Sequence, residues 1–500
     1  MVDALTGNVA DLVTEAAARA PRRAALIDTA SGRTLTWEQT NHAVNAFGQR
    51  LADAGVTVGD RVALGAANTA EFCVAVFAVL RAGAIAVPVA PRSPELPRLL
   101  ADSGATLLVG EAEGITTIAL PDLDATDATA EPAQAKGNGE DIAVLCYTSG
   151  TAGVPRGVML SHRALLSNVA QCAALQPAPV TATDRVLLVV PLYHLYGLGP
   201  GLLQVASAGA TAVLLETFGT ERALTVCAEQ RVTTLVGVPA MYQALGAASA
   251  DRLAEGLSTV RLLTSGAAPL PPAVLSAIKQ ATGLSVYEGY GLTETGPVLT
   301  STLVGGVAKP GSVGRPLPGV ELRLVDSDGQ LLGVPADPDE EGWFDDDEPE
   351  TGRVAAKGAN LFSGYWPDGA HGPDEDGWFR TGDVGYLDAD GDLRLVDRAG
   401  DLIIVNGFNV YPNEVERVLS ELPEVLESAA VGELDERTGE QVVAVIVLRP
   451  GTELTEDAVR EHCADRLARF KVPRVVRFVD ELPHSATGKV RRASLRDSGH

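Results

Sequence analysis

Apolar positions along the chain follow two rhythms. The stretch "NVADLVTEAAARA" (8–20) repeats them at helical spacing, whereas "AALID" (24–28) and "RVALGA" (61–66) are short continuous runs of the kind that form buried strands. "EFCVAVFAVLRAG" (71–83) returns to helix. The apolar run 73–90 is broken by Arg81, Gly83 and Pro88, so it predicts a buried helix followed by a buried strand, not a membrane span. The first 110 or so residues therefore read as an α/β layer.

From residue 141 one arrangement recurs. "DIAVLC" runs into "YTSGTAGVPRG" (147–157), after which Ser161 is placed to cap the helix "HRALLSNVAQCAAL". "RVLLVV" then runs into "PLYHLYG", "TTLVGV" into "PAMY", "VRLLTS" into "GAAPLPP" and "LSVYEG" into "YGLTETG". Five apolar strands thus end in loops of Gly, Pro, hydroxyl or aromatic residues. Open α/β sheets bind ligands beyond the carboxyl ends of their strands, so matching loops predict one shared site.

After about residue 300 the helical period gives way to short strands such as "GVELRLVD" and "GDLRLVD", a β-rich pattern. From 401 a new sequence of helix and strand begins, with Thr455 as cap of "TEDAVREHCADRLARF" and "RVVRFV" as a strand. The predicted fold is α/β: a large N-terminal domain (1–399) of α/β subdomains with a small β-rich subdomain at about 300–399, then a small mobile α+β C-terminal domain (400–500). The join is "DRAGD" (397–401), where Gly400 has unusual backbone freedom.

Composition narrows the function classes. A length of 500 residues with 46% apolar content suggests two to four folded domains. The formal charge of -26 disfavours nucleic acid or an anionic membrane as partner, because phosphate backbones are held by clustered Lys and Arg. Five widely spaced cysteines without a C-x-x-C argue against a disulfide framework or a zinc site, and a reducing cytoplasm fits them. No basic-then-apolar signal opens the chain. Two polar stretches, 122–140 and the acidic run 336–352, read as a surface linker and a solvated loop.

In "YTSGTAGVPRG", small residues let backbone N–H groups converge and hydroxyls add donors, so the loop is either a phosphate cradle or an ordinary strand-to-helix turn. It is not a Walker loop, since Pro155 stands where that motif needs its second Gly.

Taken in order, "YTSGTAGVPRG", "YGLTE", "GWFRTGD", "VDRAGDLIIVNGFNVYPNEVE" and "PHSATGKVRR" resemble the acyl-adenylating superfamily of acyl-CoA synthetases, luciferase and peptide-synthetase adenylation domains. "DLIIVNGFNVYPNEVE" is most similar to the fatty-acyl-CoA ligases. The resemblance implies an ATP-dependent, AMP-forming ligase that joins a hydrophobic carboxylic acid to coenzyme A through an acyl-adenylate, with Mg2+. Such chemistry brings two anions together, so it needs fixed donors and positive charge and no nucleophilic side chain.

The same resemblance implies residue roles. Thr148, Ser149, Gly150 and Thr151 would hold the β- and γ-phosphates, Thr293 the α-phosphate and Glu294 the Mg2+ ion. Tyr290 and Gly291 would face the adenine against Gly266 and Ala267, Asp383 would accept from both ribose hydroxyls, and Arg398 would approach ribose and phosphates. Lys489 would bridge the acid and the α-phosphate, and His194 would stand between the ATP and acyl sites. Gly407, Phe408, Asn409, Arg469 and Lys471 would meet coenzyme A, and Tyr193, Val238, Met241 and Gly289 would line the acyl pocket. Gly400 would be the hinge.

The chain departs from the family pattern at three positions. Arg156 replaces the usual Lys of the first motif, Gly400 the usual Lys or Asp of the hinge, and Ile404 a second lysine of luciferase. The other readings are an acyl-AMP ligase loading a carrier protein in trans, an aromatic-acid CoA ligase, and a catalytically weak nucleotide-binding homologue.

Overall fold

The computed structural model describes residues 2–3, 5–91, 93, 95–112, 114–123, 134–148, 155–268, 270–326, 328–332, 351–398, 401–405, 408–435, 437–467, 469–484 and 490–496. The chain divides into two compact units. One comprises residues 1–150, 155–322 and 356–379, the other residues 151–154, 323–355 and 380–500.

Two sheets organise the first unit. Six strands run in the order 116–118, 107–110, 61–65, 85–88, 142–148 and 156–161. Nine run in the order 315–316, 298–301, 286–291, 262–265, 234–237, 185–188, 211–214, 24–28 and 34–36. The helix Ala70–Arg81 is buried at every position except Glu71 and leads into the buried strand Ile85–Pro88, as the broken apolar run predicts. Side-chain caps fix the helix starts. Thr69 accepts from the backbone N–H of Phe72, and Thr36 and Gln39 form a reciprocal capping box.

The five strands are divided between the two sheets: Ile142–Thr148 lies in the six-stranded sheet, the other four in the nine-stranded one. Of the two readings of the "YTSGTAGVPRG" loop, the strand-to-helix turn is corrected, because a second strand precedes the helix. "RGVMLS" forms a strand, Arg156–Ser161, antiparallel to Ile142–Thr148, with Thr148 opposite Arg156. A run containing Gly157 and opening on a charged residue carries little strand signal, yet every position from Gly157 to Ser161 is buried, as in a strand covered on both faces. The hairpin then passes to helix His162–Ala173, whose cap is Ser161 as expected, accepting from the Ala164 N–H at 3.2 Å.

The second unit has a core of Ile403, Val415, Val442, Ala444, Ile446 and Val459 among others, built between sheet and helices. Its sheet runs 408–410, 403–405, 439–448, 425–435, with 475–478 parallel to 439–448. Helix Glu456–Ala464 starts at Thr455, whose hydroxyl accepts from the Ala458 N–H, as predicted. A further four-stranded sheet, ordered 320–325, 352–358, 378–387 and 393–398, supplies the β-rich segment. The acidic run 336–352 lies outside the described residues except for its last two, and the linker 122–140 is described only at its ends.

Candidate active site

In the first unit the carboxyl ends of adjacent parallel strands carry most of the described candidates. Strands Arg185–Leu188, Thr234–Gly237, Leu262–Ser265 and Val286–Gly291 are consecutive neighbours, with Leu187 beside Leu235, Gly237 beside Ser265 and Ser265 beside Glu288. Beyond those ends lie, in the same order, Tyr193 and His194, Val238 and Met241, Gly266 and Ala267, and the turn from Gly291 to Thr295.

Each loop is held by side chains the motif does not include. Asn68, 3% exposed, accepts from the Leu192 N–H at 2.9 Å and donates to the Val190 carbonyl at 3.0 Å, fixing the loop before Tyr193 and His194. His194 Nδ1 accepts from the Tyr196 N–H at 3.1 Å, which defines that ring nitrogen as unprotonated. Tyr193 and Val238 are half-buried and Met241 is 5% exposed. A Cβ on Gly266 would come within 2.9 Å of the Tyr196 ring, so only glycine fits there. Ala267 follows with φ 75, a left-handed backbone that a residue with a Cβ adopts at a cost.

Strand Val286–Gly291 buries Val286, Glu288 and Tyr290 on one face, with Tyr290 8% exposed and Gly289 opposite Ser301. The ladder to Val298–Ser301 slips between Tyr290 and Gly291, and a Cβ at Gly291 would lie 1.8 Å from the Pro297 carbonyl oxygen. That close approach turns the chain into the 3-10 turn Thr293–Thr295. Buried Thr295 ties it by donating to the Pro297 carbonyl at 2.7 Å, and buried Asn360 donates to the Thr295 carbonyl at 2.7 Å. Thr293 and Glu294 remain half-buried.

Sequence reading missed two residues here. Glu288 is 6% exposed, accepts from the Leu270 N–H at 3.1 Å, and burial pushes its carboxyl up to about 7. Its signal was a lone acid inside an apolar strand. Tyr365, beyond every quoted motif, donates its hydroxyl to Glu294 Oε1 at 2.7 Å, and the Arg156 guanidinium lies over its ring at 3.5 Å from the centroid. Thr148 is half-buried at the end of its strand, and Ser149, Gly150 and Thr151 lie outside the described residues.

In the second unit Asp383 is 6% exposed on strand Trp378–Leu387 and stands opposite Arg398 in the antiparallel ladder, so this pair of candidates is brought together. The Asp383 N–H donates to the Thr381 hydroxyl at 3.2 Å. Phe408 and Asn409 occupy strand Phe408–Val410, opposite Val405 and Ile404. Lys471 is paired with Glu414 at 2.9 Å. Arg469 is separate from it, lining a cavity of about 490 Å³ with Arg460 and Arg474 over Leu467, Val472 and Pro473. Gly400, Gly407 and Lys489 lie outside the described residues.

The donor set suits a nucleotide and a hard cation: hydroxyls and backbone amides at strand ends, with carboxylate oxygens rather than thiolates or imidazole clusters. All five cysteines are free and buried. No helix among the described residues is long and apolar enough to cross a membrane.

The chain matches the family model for the AMP-binding enzyme over residues 13–366 and that for the AMP-binding enzyme C-terminal domain over residues 414–489. It is 36% identical to a feruloyl-CoA synthase of Amycolatopsis, covering 93% of this chain and 94% of the relative. It is 33% identical to a long-chain-fatty-acid–CoA ligase of Yersinia pestis, covering 93% and 90% respectively. The crystal structure of ATP-bound MatB from Rhodopseudomonas palustris superposes with a TM-score of 0.88 at 31% identity, covering 98% of this chain and 99% of that one. Near-complete coverage by sequence and structure shows that the chain belongs to the AMP-binding enzyme family, as an AMP-forming acyl- or aryl-CoA ligase that uses ATP and Mg2+ to adenylate an acid and then transfers it to coenzyme A.

Proposed function

We propose that the acid is hydrophobic, in the first place a fatty acid, and that the residues named above divide the two half-reactions between them. The carboxylate oxygen attacks the α-phosphorus, the bond to the bridging oxygen breaks and pyrophosphate leaves. Thr148, Ser149, Gly150 and Thr151 hold the departing phosphates, Thr293 orients the α-phosphate, and Lys489 offsets the charge as the two anions meet. The oxygen chemistry of Glu294 fits a Mg2+ ion, which when bound neutralises charge on the phosphate oxygens. Tyr290, Gly291, Gly266 and Ala267 take the base, and Asp383 and Arg398 the ribose. In the second half-reaction a coenzyme A thiolate attacks the acyl carbon and AMP leaves. Gly407, Phe408, Asn409, Arg469 and Lys471 are the proposed contacts for coenzyme A, with Gly400 the hinge between the two poses of the C-terminal segment.

The observation that carries this reading is the run of neighbouring strand ends in the first unit, where His194 and Ala267 follow strands of one sheet and Tyr290 and Glu294 lie at the end of, and just beyond, a third. Tyr193 lies in the His194 loop, Gly289 on the Tyr290 strand, and Val238 and Met241 at the start of helix Pro239–Gly246 after the intervening strand, and these four are proposed to line the acyl pocket. A second reading, an aromatic acid, is supported by the 36% identity to a feruloyl-CoA synthase. Pyrophosphate release, measured with fatty acids of graded length and with hydroxycinnamic and benzoic acids, each with and without coenzyme A, tests the proposal. The fatty-acid reading requires the highest kcat/KM on an alkanoic acid. A preference for an aryl acid would replace it with the second reading.

A further inference from the structure

Tyr365 is clamped from several sides within the first unit. Its backbone bridges Val158 of the hairpin strand and Ala370, and its neighbour Trp366 donates to the Gly157 carbonyl at 2.8 Å. Its ring meets Phe362 edge-on, 5.1 Å between centroids, and Phe362 in turn donates its N–H to the Glu294 carbonyl at 3.0 Å. The ring position is therefore fixed relative to both the hairpin and the Glu294 turn.

Three groups form a continuous line: a guanidinium over the aromatic face, a phenol, and a carboxylate oxygen 2.7 Å from that phenol. We infer that Tyr365 is a positioning residue for the metal-binding carboxylate, and that Arg156 acts on that carboxylate through the Tyr365 ring. The inference rests on the proposed role of Glu294 as the Mg2+ ligand. A carboxylate has two oxygens. The hydrogen bond to Oε1 fixes the rotation of the group and leaves Oε2 as the oxygen presented to a cation. A cation on the ring face draws electron density from the phenol and strengthens its O–H as a donor. This also explains why Arg stands where the family pattern has Lys. A planar guanidinium stacks flat on an aromatic ring, whereas an ammonium is a compact, strongly hydrated charge.

Partners that hold a metal's ligands typically change its affinity about 10–100-fold when removed. The full chain as Tyr365→Phe, which keeps the ring and loses only the hydroxyl, should raise the half-saturating Mg2+ concentration for pyrophosphate release about tenfold. Equilibrium binding of ATP in EDTA should change less than about twofold, because no metal is involved in that step. Arg156→Lys, an exposed site where folding is not at risk, should raise the Mg2+ requirement in the same direction, and the double variant should be no worse than Tyr365→Phe alone. An unchanged Mg2+ requirement with a lowered kcat or Tm would make Tyr365 a packing residue only and overturn the inference. Weaker metal-free ATP binding in Arg156→Lys, with normal Mg2+ dependence, would make Arg156 a direct phosphate contact and overturn its part. Glu294→Gln separates the underlying reading: no change in Mg2+ requirement there removes the metal assignment itself.

Discussion

At the scale of single residues, Lys489 carries the heaviest assignment. If its ammonium meets the charge that develops between carboxylate and α-phosphate, Lys489→Ala should slow adenylation about 10²–10³-fold, the usual loss for one preorganised donor in a site shielded from water. Thioester formation from pre-made acyl-adenylate should stay near the wild-type rate. Single-turnover assays of each half-reaction check this, and a loss of under about threefold in both would reduce Lys489 to a solvated charge in a basic tail. The close approaches at Gly266 and Gly291 were legible in the sequence, because small residues in a strand-end loop mark places where a Cβ would not fit. Asn68, Glu288, Asn360 and Tyr365 were not legible. Their partners are far away in sequence, from Leu270 near Glu288 to Glu294 beside Tyr365, and no local period marks a side chain whose purpose is to hold a distant loop.

At the scale of elements, helix His162–Ala173 shows how the hairpin is locked into the fold. Its first residue, His162, is 1% exposed and accepts the Val9 N–H on Nδ1 at 3.0 Å. Burial outweighs the nearby Asp141 carboxylate and lowers the imidazole from 6.5 to about 4. The unfolded chain therefore binds the proton more readily, so the contribution of this neutral ring is complete above pH 6.5 and is lost as pH falls toward 4. Urea midpoints at pH 7.5 and 4.5 should differ in the wild type by a stability loss on the order of 2 kcal/mol from this site, and His162→Gln should flatten that difference. An identical pH slope in the variant would mean another group governs acid sensitivity. Elements with a clear period, such as Ala70–Arg81 and Glu456–Ala464, were readable from the sequence. Arg156–Ser161 was not, because a strand of an antiparallel pair is specified by its partner as much as by its own residues. Sheet membership was hidden for the same reason: nothing local separates Ile142–Thr148 from the strands of the other sheet.

At the scale of the whole molecule, the proposed two half-reactions need two arrangements of the C-terminal segment, and Gly400 is the proposed hinge. A glycine reaches both backbone states without a side-chain penalty, while proline fixes φ near −65°. Gly400→Pro should keep one half-reaction and lose the other, read by separate adenylation and thioester assays. Equal loss of both in a folded protein would place the hinge elsewhere. The central claim, that the acid is activated as an adenylate, is tested most directly by following oxygen. With ATP, Mg2+, coenzyme A and an accepted acid labelled with 18O in its carboxylate, the attacking oxygen ends on the α-phosphorus and leaves with it when the thiolate takes the acyl carbon. The account predicts AMP carrying one 18O, with unlabelled pyrophosphate and the thioester in equal amounts. Label in inorganic phosphate, with ADP as the nucleotide product, would contradict it.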